Sequence, residues 1–194
     1  MMKTRDQHFL EEAYQKILLE KDYWESSIQP YRYKGRNPTV DLVIFYKSQV
    51  LLIKRKEWGV EGGKWAIPGG FVDTKAKKGE EFRFDKETPR QAALREVLEE
   101  THLDLNKIPY GISRLKEVGI YEGNSRDPRD NKESWSRSYV FTLALKEEDG
   151  IDFSQIQEGD DASEAQWFSL KNLPTPLAFD HSKILHDALI IINK

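Results

Sequence analysis

The chain has 194 residues, of which 38% are hydrophobic, and its 30 basic and 33 acidic residues give a formal net charge of −3. That length allows one substantial core, the balanced charge gives no general attraction to nucleic acid, and the absence of cysteine excludes disulfide bonds and cysteine-based metal sites. Since no apolar run approaches the roughly 20 residues of a membrane span and the first residues lack a signal peptide's apolar core, we expect a cytoplasmic protein that binds neither membranes nor nucleic acid.

The first part of the chain, residues 1–37, is predicted to be a helical arm and linker ahead of one domain over residues 38–194. Apolar side chains recur at helical spacing over residues 5–21, which predicts an amphipathic helix. Such a helix would pack on the domain or on a second subunit, so a homodimer is one interpretation. The linker also carries aromatic side chains that either anchor the arm in the core or stack on a nucleobase. These are Trp24, Tyr31 and Tyr33.

Two strands are predicted over residues 39–46 and 50–55, because both are rich in β-branched and aromatic residues around a short polar break. Arg55 ends the second strand, where it could contact a phosphate or form a surface salt bridge. A turn then leads to the pair Gly69 and Gly70. Glycine permits close backbone approach, so the Gly70 carbonyl could face a metal ion, unless the pair forms an ordinary turn.

Residues 74–86 form a charged insertion in which the sign of the charge alternates, and this is typical of an exposed loop. Its lysine side chains would contact substrate phosphates or remain solvated. The role of the insertion stays open at this point.

A helix is predicted to begin at residue 88. Thr88 can cap the helix, Pro89 suits its first turn, and Gln91 completes a capping box. At about 100° per residue, apolar and small side chains gather on one face. That face consists of Ala93, Leu94, Val97, Leu98 and Thr101.

Three glutamates share the other face of this helix, because Glu96, Glu99 and Glu100 are three and four residues apart. Like charges so close repel one another and raise carboxylate pKa values unless a cation lies among them. Mg²⁺ and Mn²⁺ prefer oxygen ligands and are the natural occupants of such a patch. The alternative is a solvated acidic surface.

Two further strands are predicted over residues 113–121 and 136–146, followed by a C-terminal helix that Asp180 caps. The apolar face of this helix, which belongs to the core, consists of Ile184, Leu185, Ala188, Leu189 and Ile192. His181 and His186 are expected at the surface or in the cap rather than as ligands.

The acidic helix carries a family resemblance. Glu87, seven intervening residues and the run Arg95–Glu100 resemble the signature helix of the Nudix hydrolases, which cleave nucleoside diphosphates linked to another moiety. Gly69 and Gly70 match the glycine pair that precedes that helix. The chain departs from the family in a longer loop before Glu87 and in His102, which replaces a glycine but tolerates the left-handed conformation at a helix end.

The polar loop over residues 122–135 extends the resemblance to ADP-ribose pyrophosphatases of the mitochondrial type and to the related cytosolic domain of a melastatin-type cation channel. A diphosphate between two riboses needs cationic donors, which Arg126 and Arg129 supply, while Asp127 can accept from ribose hydroxyls. Trp135 either stacks on adenine or packs beneath the loop.

The resemblance spans residues 38–190 and implies an α/β fold, the Nudix-type α/β/α sandwich with a mixed β-sheet, here with an N-terminal helical arm. It implies Mg²⁺-dependent hydrolysis of a nucleoside-diphosphate sugar, foremost ADP-ribose to AMP and ribose 5-phosphate, with Mn²⁺ as the alternative ion. Other interpretations are hydrolysis of NADH, coenzyme A, a dinucleoside polyphosphate or an RNA cap. A module that senses ADP-ribose without cleaving it is the rival of a different class.

The resemblance also assigns roles to single residues. The implied metal ligands are Glu96, Glu99, Glu100 and the Gly70 carbonyl. The implied catalytic residues are Glu87, Arg95, Glu96 and Glu100, with Arg95 orienting the carboxylates by pairing with Glu87. Glu87 is preferred to the displaced Gly79–Glu80 pair, because its distance to Arg95 fixes the geometry. The general base is a glutamate of the helix or an acid from a distant loop, Asp160 or Asp161, which could instead form a turn.

Overall fold

The computed structural model of the protein describes residues 31–123, 126–151 and 162–194, together with residues 153, 156 and 159. The predicted N-terminal helix over residues 5–21 and Trp24 lie outside the described residues. The strands are β1 (Gly35–Tyr46), β2 (Gln49–Arg55), β3 (Trp65–Ala66), β4 (Gly69–Phe71), β5 (Lys116–Glu122), β6 (Ser134–Leu145) and β7 (Ala162–Ser169). The α-helices are α1 (Pro89–Thr101), α2 (Gly111–Arg114) and α3 (His181–Ile192). No helix within the described part of the chain is long and apolar enough to cross a membrane.

The sheet is organised around β1. This strand pairs in parallel with β6 along its whole length, and it pairs antiparallel with β4 near its middle and with β2 at its far end. Strand β2 also carries β3 and β7, and β5 lies antiparallel to β6. The predicted hairpin and the predicted mixed sheet are therefore both confirmed.

Alternate residues of β1 face two separate core layers, as the period of a strand requires. Val40, Leu42 and Ile44 pack into the layer that contains the apolar side of α1. Val43 and Phe45 point the other way, into the layer that contains α3. The sheet thus lies between α1 and α3, and the predicted α/β/α sandwich is confirmed.

Helix α1 begins as its sequence predicts. The Thr88 hydroxyl accepts from the Gln91 backbone amide, and the Gln91 side-chain oxygen accepts from the Thr88 backbone amide. The helix ends at His102 in the left-handed conformation, with φ 58°. The prediction for Leu98 is wrong, because its side chain is 37% exposed. Five residues of rotation place Leu98 about 140° from Ala93, beyond the edge of the buried stripe.

Two boundaries near the later elements also differ from their prediction. The strand expected from residue 113 begins at Lys116, because the residues before it form the short helix α2. Asp180 precedes α3 but makes no side-chain cap bond, since its carboxylate is engaged by Arg126. His181, expected at the surface or in the cap, directly follows the cap residue Asp180 and is buried.

The insertion over residues 74–86 is mostly exposed, as predicted, but it is tied to the linker. The backbones of Lys34 and Glu81 pair in an isolated parallel β-bridge, and the rings of Tyr33 and Phe82 meet edge to face with centroids 5.7 Å apart. Tyr31 packs in the same way on Phe71, at 6.2 Å. For the described part of the linker, these contacts support the anchoring role of its aromatic residues.

Candidate functional site

The centre of the site is the Arg95 guanidinium, which several carboxylates share. Its Nη1 donates to Glu96 Oε1 at 2.9 Å and to Glu99 Oε2 at 2.8 Å. Its Nη2 donates to Glu87 Oε1 at 2.6 Å and to the Phe71 carbonyl at 2.9 Å. The expected pairing of Arg95 with Glu87 is therefore present, and one cation orients the acidic residues relative to β4.

The insertion does not supply the partner of Arg95. Glu80 instead accepts from the Lys77 amide and from Arg83, within its own loop. Glu87 also accepts from the Asp73 amide at 2.6 Å, which fixes the chain just after β4. The distance to Arg95, rather than the Gly-Glu pattern, therefore identified the glutamate that pairs with Arg95.

Two of the helix carboxylates are held out of water. Burial raises the pKa of Glu96 to about 7, although the neighbouring Arg95 opposes the shift and Glu99 and Glu87 add to it. Glu100 is only 4% exposed, and its Oε2 accepts from the Gly69 amide at 2.9 Å. The acidic face of α1 is thus docked directly on the glycine pair.

The glycine pair leaves no room for a side chain. A Cβ on Gly70 would lie 2.5 Å from Cδ of Glu96, and a Cβ on Gly69 would lie 2.1 Å from the Val40 carbonyl oxygen. Both distances are below van der Waals contact. Glycine here allows the backbone of β4 to approach the Glu96 carboxylate closely.

Gly159 brings a third segment to α1. Its amide donates to the Glu100 carbonyl at 3.1 Å, and a Cβ there would lie 1.7 Å from the Glu99 carbonyl oxygen. Asp160 and Asp161, the general-base candidates that follow Gly159 in sequence, lie outside the described residues.

The donor chemistry of this face fits a hard divalent cation. Three carboxylates lie on one side of α1, and burial makes the negative charge of Glu96 costly there, which raises its pKa. Across the described segments, no three acidic or histidine side chains are already arranged to hold a metal ion. Arg95 is the cation that now neutralises Glu96 and Glu99.

A cavity of about 480 Å³ opens beside the acidic face, and this volume is in the range of small-molecule sites. Most of the predicted site residues line it. These are Arg55, Gly70, Arg95, Glu96, Glu99, Glu100, Arg126, Asp127 and Arg129. Glu87 joins them through Arg95.

Trp135 is not part of this cavity. It lines a separate one with Arg137 and Tyr139, and its Nε1 donates to Glu122 Oε1 at 2.6 Å. Side chains of β6 alternate between the two faces of the sheet, and Ser136 and Ser138 occupy the face near the site. The structure therefore supports packing, and not base stacking in this cavity, for Trp135.

Arg126 lies in the cavity wall and is held there by two aspartates. Its Nε and Nη2 donate to the two carboxylate oxygens of Asp180 at 3.0 and 2.8 Å, and Nη2 lies 3.6 Å from Asp41 Oδ2. The Arg126 side chain is largely buried by these contacts. Through Asp180, Arg126 holds the start of α3 against the loop after β5.

Arg129 is held at the edge of the same cavity. Its Nε and Nη2 donate to the Asp127 carboxylate at 2.9 and 2.7 Å. The guanidinium also lies over the rings of Tyr31 and Phe71, with centroid distances of 5.3 and 5.5 Å. A planar cation is thereby oriented before any ligand binds.

A buried polar pair that was not predicted from the sequence lies behind the glycine segment. His181 Nδ1 accepts from the Ile67 amide at 2.9 Å, and Nε2 lies 3.4 Å from Asp41 Oδ1. Burial alone would raise the pKa of Asp41, but His181, Arg126 and a hydrogen bond from Ser138 hold it below its ordinary value. An aspartate within an apolar strand was the signal that could have revealed this pair.

Comparison with known proteins agrees with this geometry. Residues 35–188 match the NUDIX domain family. The chain is 38% identical over 149 residues to an ADP-ribose pyrophosphatase of Methanocaldococcus jannaschii, covering 76% of this chain and 70% of that protein. It is 32% identical over 161 residues to the ADPR responsive transcriptional repressor NtrR of Acinetobacter baylyi, covering 80% of this chain and 54% of the repressor.

A solved structure shows the same fold. The NUDIX domain of Shewanella oneidensis NrtR, complexed with ADP ribose, superposes with a TM-score of 0.62 at 27% identity, covering 82% of this chain and 90% of that domain. The predicted fold and the resemblance drawn from the acidic helix are therefore confirmed. With its glycine pair, its acidic helix and a family match over most of its length, the chain belongs to the NUDIX family.

Proposed function

We propose that the protein is a Nudix pyrophosphohydrolase that cleaves ADP-ribose to AMP and ribose 5-phosphate. The observation that carries the proposal is the face of Glu96, Glu99 and Glu100, docked on Gly70 and open to a cavity of about 480 Å³. The similarity to a pyrophosphatase named for this substrate supports the choice of ADP-ribose.

Nudix hydrolases generally use divalent metal ions, and we propose Mg²⁺, with Mn²⁺ as the alternative. Glu96, Glu99 and Glu100 would hold the ion together with the Gly70 carbonyl. When bound, the ion would neutralise charge on the pyrophosphate and lower the pKa of a coordinated water. Arg95 keeps the carboxylates oriented through its bonds to Glu96 and Glu99.

The reaction adds water across the phosphoric anhydride. The water oxygen bonds to one phosphorus, the bridging oxygen leaves with the other phosphate, and a proton passes to a general base. A glutamate of α1 or one of Asp160 and Asp161 can serve as that base, because the base needs only to reach the water. Gly159 supports the second option, since it lies against the end of α1.

The remaining cavity residues would bind the substrate. Arg55 and Arg129 supply guanidinium donors for phosphate, and Asp127 can accept from a ribose hydroxyl. Arg126 would act through its position between Asp41 and Asp180, because its own donors are already engaged there.

A sensing role is the second candidate, and the similarity to an ADPR responsive repressor favours it. The chain covers 54% of that repressor, so an activity of the whole repressor is not carried over. The complete set of helix carboxylates favours catalysis over binding alone.

We also infer a cytoplasmic enzyme whose partner is a small-molecule nucleotide rather than nucleic acid. The absence of cysteine fits a reducing compartment. A homodimer formed through the arm over residues 1–37 belongs to the same proposal, because an amphipathic helix needs a cover for its apolar face.

A substrate panel with purified protein and Mg²⁺ tests the proposal. We expect AMP and ribose 5-phosphate from ADP-ribose, at a higher kcat/KM than for NADH, coenzyme A, a dinucleoside polyphosphate or capped RNA. A rival substrate with a kcat/KM roughly tenfold higher, on the order of 1.4 kcal/mol, would show that the assignment is wrong. Tight ADP-ribose binding without any product would favour the sensing role.

A further inference from the structure

The cavity contains an aromatic residue that no motif predicted. Trp58 lies in the turn between β2 and β3, lines the cavity and is 59% exposed. Trp58 therefore places a large, flat aromatic surface in the wall of a cavity that is otherwise rich in charged side chains.

The turn that carries Trp58 is held in one conformation. Arg55 Nε donates to the Val60 carbonyl at 2.7 Å, and the Gly63 amide donates to the Arg55 carbonyl at 3.0 Å. A Cβ on Gly62 would lie 2.2 Å from the Glu57 carbonyl oxygen, so the turn is also closely packed. An aromatic ring on a fixed turn loses little conformational entropy when a ligand stacks on it.

Basic side chains lie near the Trp58 ring in the same cavity. Lys56 Nζ lies 5.7 Å from the centre of the Trp58 ring, and the Arg55 guanidinium lies over Phe179 at 4.9 Å. All four residues line the cavity. A planar aromatic ring beside cationic groups matches a nucleobase joined to phosphate.

We propose that Trp58 is the surface on which the adenine of the substrate stacks, so that the AMP half lies against the β2–β3 turn. This inference rests on the proposed function, and it makes Trp58 a residue that determines the specificity of the same site. It also transfers to Trp58 the stacking role that the sequence suggested for Trp135, which lies in another cavity and is bound to Glu122.

The test compares Trp58→Ala and Trp58→Phe with the wild type. Loss of one base–aromatic stack typically weakens binding by about 5- to 150-fold, so Trp58→Ala should raise the KM for ADP-ribose within that range and leave kcat within about twofold. Trp58→Phe keeps an aromatic ring and should stay within about threefold of the wild-type KM. Phe84→Ala is the matched control, because Phe84 is also an exposed aromatic residue but lies outside this cavity.

Product binding separates this inference from the proposed function. AMP and ribose 5-phosphate are titrated by calorimetry, and we expect Trp58→Ala to lose affinity for AMP while its affinity for ribose 5-phosphate is unchanged. AMP should also quench tryptophan fluorescence in the wild type, and Trp58→Phe should lose that quenching while it keeps the affinity. This result would support the stacking role even if ADP-ribose were not hydrolysed.

Three outcomes would overturn the inference. One is wild-type affinity for AMP in a folded Trp58→Ala variant, checked by its melting curve. Another is a loss of AMP affinity in Trp135→Ala instead. A third is a wild-type protein that binds no AMP.

Discussion

The hydrogen bond between the Ile67 amide and His181 Nδ1 should be a measurable part of the stability of the site. His181→Leu replaces the ring with a side chain of comparable size that has no acceptor, and both bond partners are buried. An orphaned buried amide costs about 1–3 kcal/mol. For a chain of this length, 1 kcal/mol corresponds to about 2–4 °C in Tm, so the melting temperature should fall by roughly 2 to 12 °C.

Two variants isolate this hydrogen bond. His181→Asn places a carbonyl oxygen near the former Nδ1 and should recover most of the lost stability. His186→Leu tests the general effect of replacing a histidine on α3, and it should change stability by less than about 0.5 kcal/mol because His186 is exposed. Ile67 leads into the glycine pair, so we expect kcat to follow the same order, with Leu lowest and Asn intermediate.

The measurements are thermal melts followed by circular dichroism and initial rates at fixed Mg²⁺. If His181→Leu and His181→Asn lose the same stability, the ring acts by packing and the hydrogen-bond argument is wrong. A Leu variant as stable as the wild type would refute it more directly.

Further predictions concern the acidic face, the loop after β5 and the arm. Glu100→Gln should lower turnover by orders of magnitude with an unchanged melting curve, because metal-assisted charge stabilisation contributes several kcal/mol; wild-type activity with unchanged metal dependence would contradict this. Arg129→Ala should raise the KM for ADP-ribose and narrow its advantage over ADP-glucose in a substrate panel, with metal affinity unchanged. Burial alone would raise the pKa of Asp127, but Arg129 holds that pKa below its ordinary value. The Asp127 carboxylate therefore stabilises the folded protein at a pH above its unfolded-state pKa, and this stabilisation is lost as the pH falls through its lowered folded-state pKa. Urea unfolding of Asp127→Asn should therefore show a deficit at pH 7 that shrinks at acid pH, and a constant deficit would refute the argument. Deleting residues 1–28 should give a monomer by light scattering, unless the full chain is already monomeric.

The local parts of the site were predictable because their signals lie within one turn of helix. Thr88, Gln91 and the spacing of Glu96 and Glu100 determine where α1 begins and which face is acidic. Leu98 was misplaced because residue type alone does not show where the buried stripe ends.

Residues whose partners are distant in sequence were harder to predict. Arg126 meets Asp180 at a separation of 54 residues, and Ile67 meets His181 at a separation of 114. No pattern within either segment records such a contact. Trp135 shows a related limit, because one position along β6 decides which face of the sheet a side chain occupies.

The parallel pairing of β1 with β6 also constrains the order in which the protein can fold. Each residue of β1 pairs with one about 100 positions later in the chain, so a long loop must close before this pairing can form. During synthesis, the acidic helix leaves the ribosome well before β6 and α3. Asp41 therefore cannot contact Ser138 or His181 until those later residues have been synthesised. One edge of the central strand β1 stays unpaired until nearly three quarters of the chain has been made. Completion of the β1–β6 pairing is thus the step that a slow translation rate or a bound chaperone would affect most.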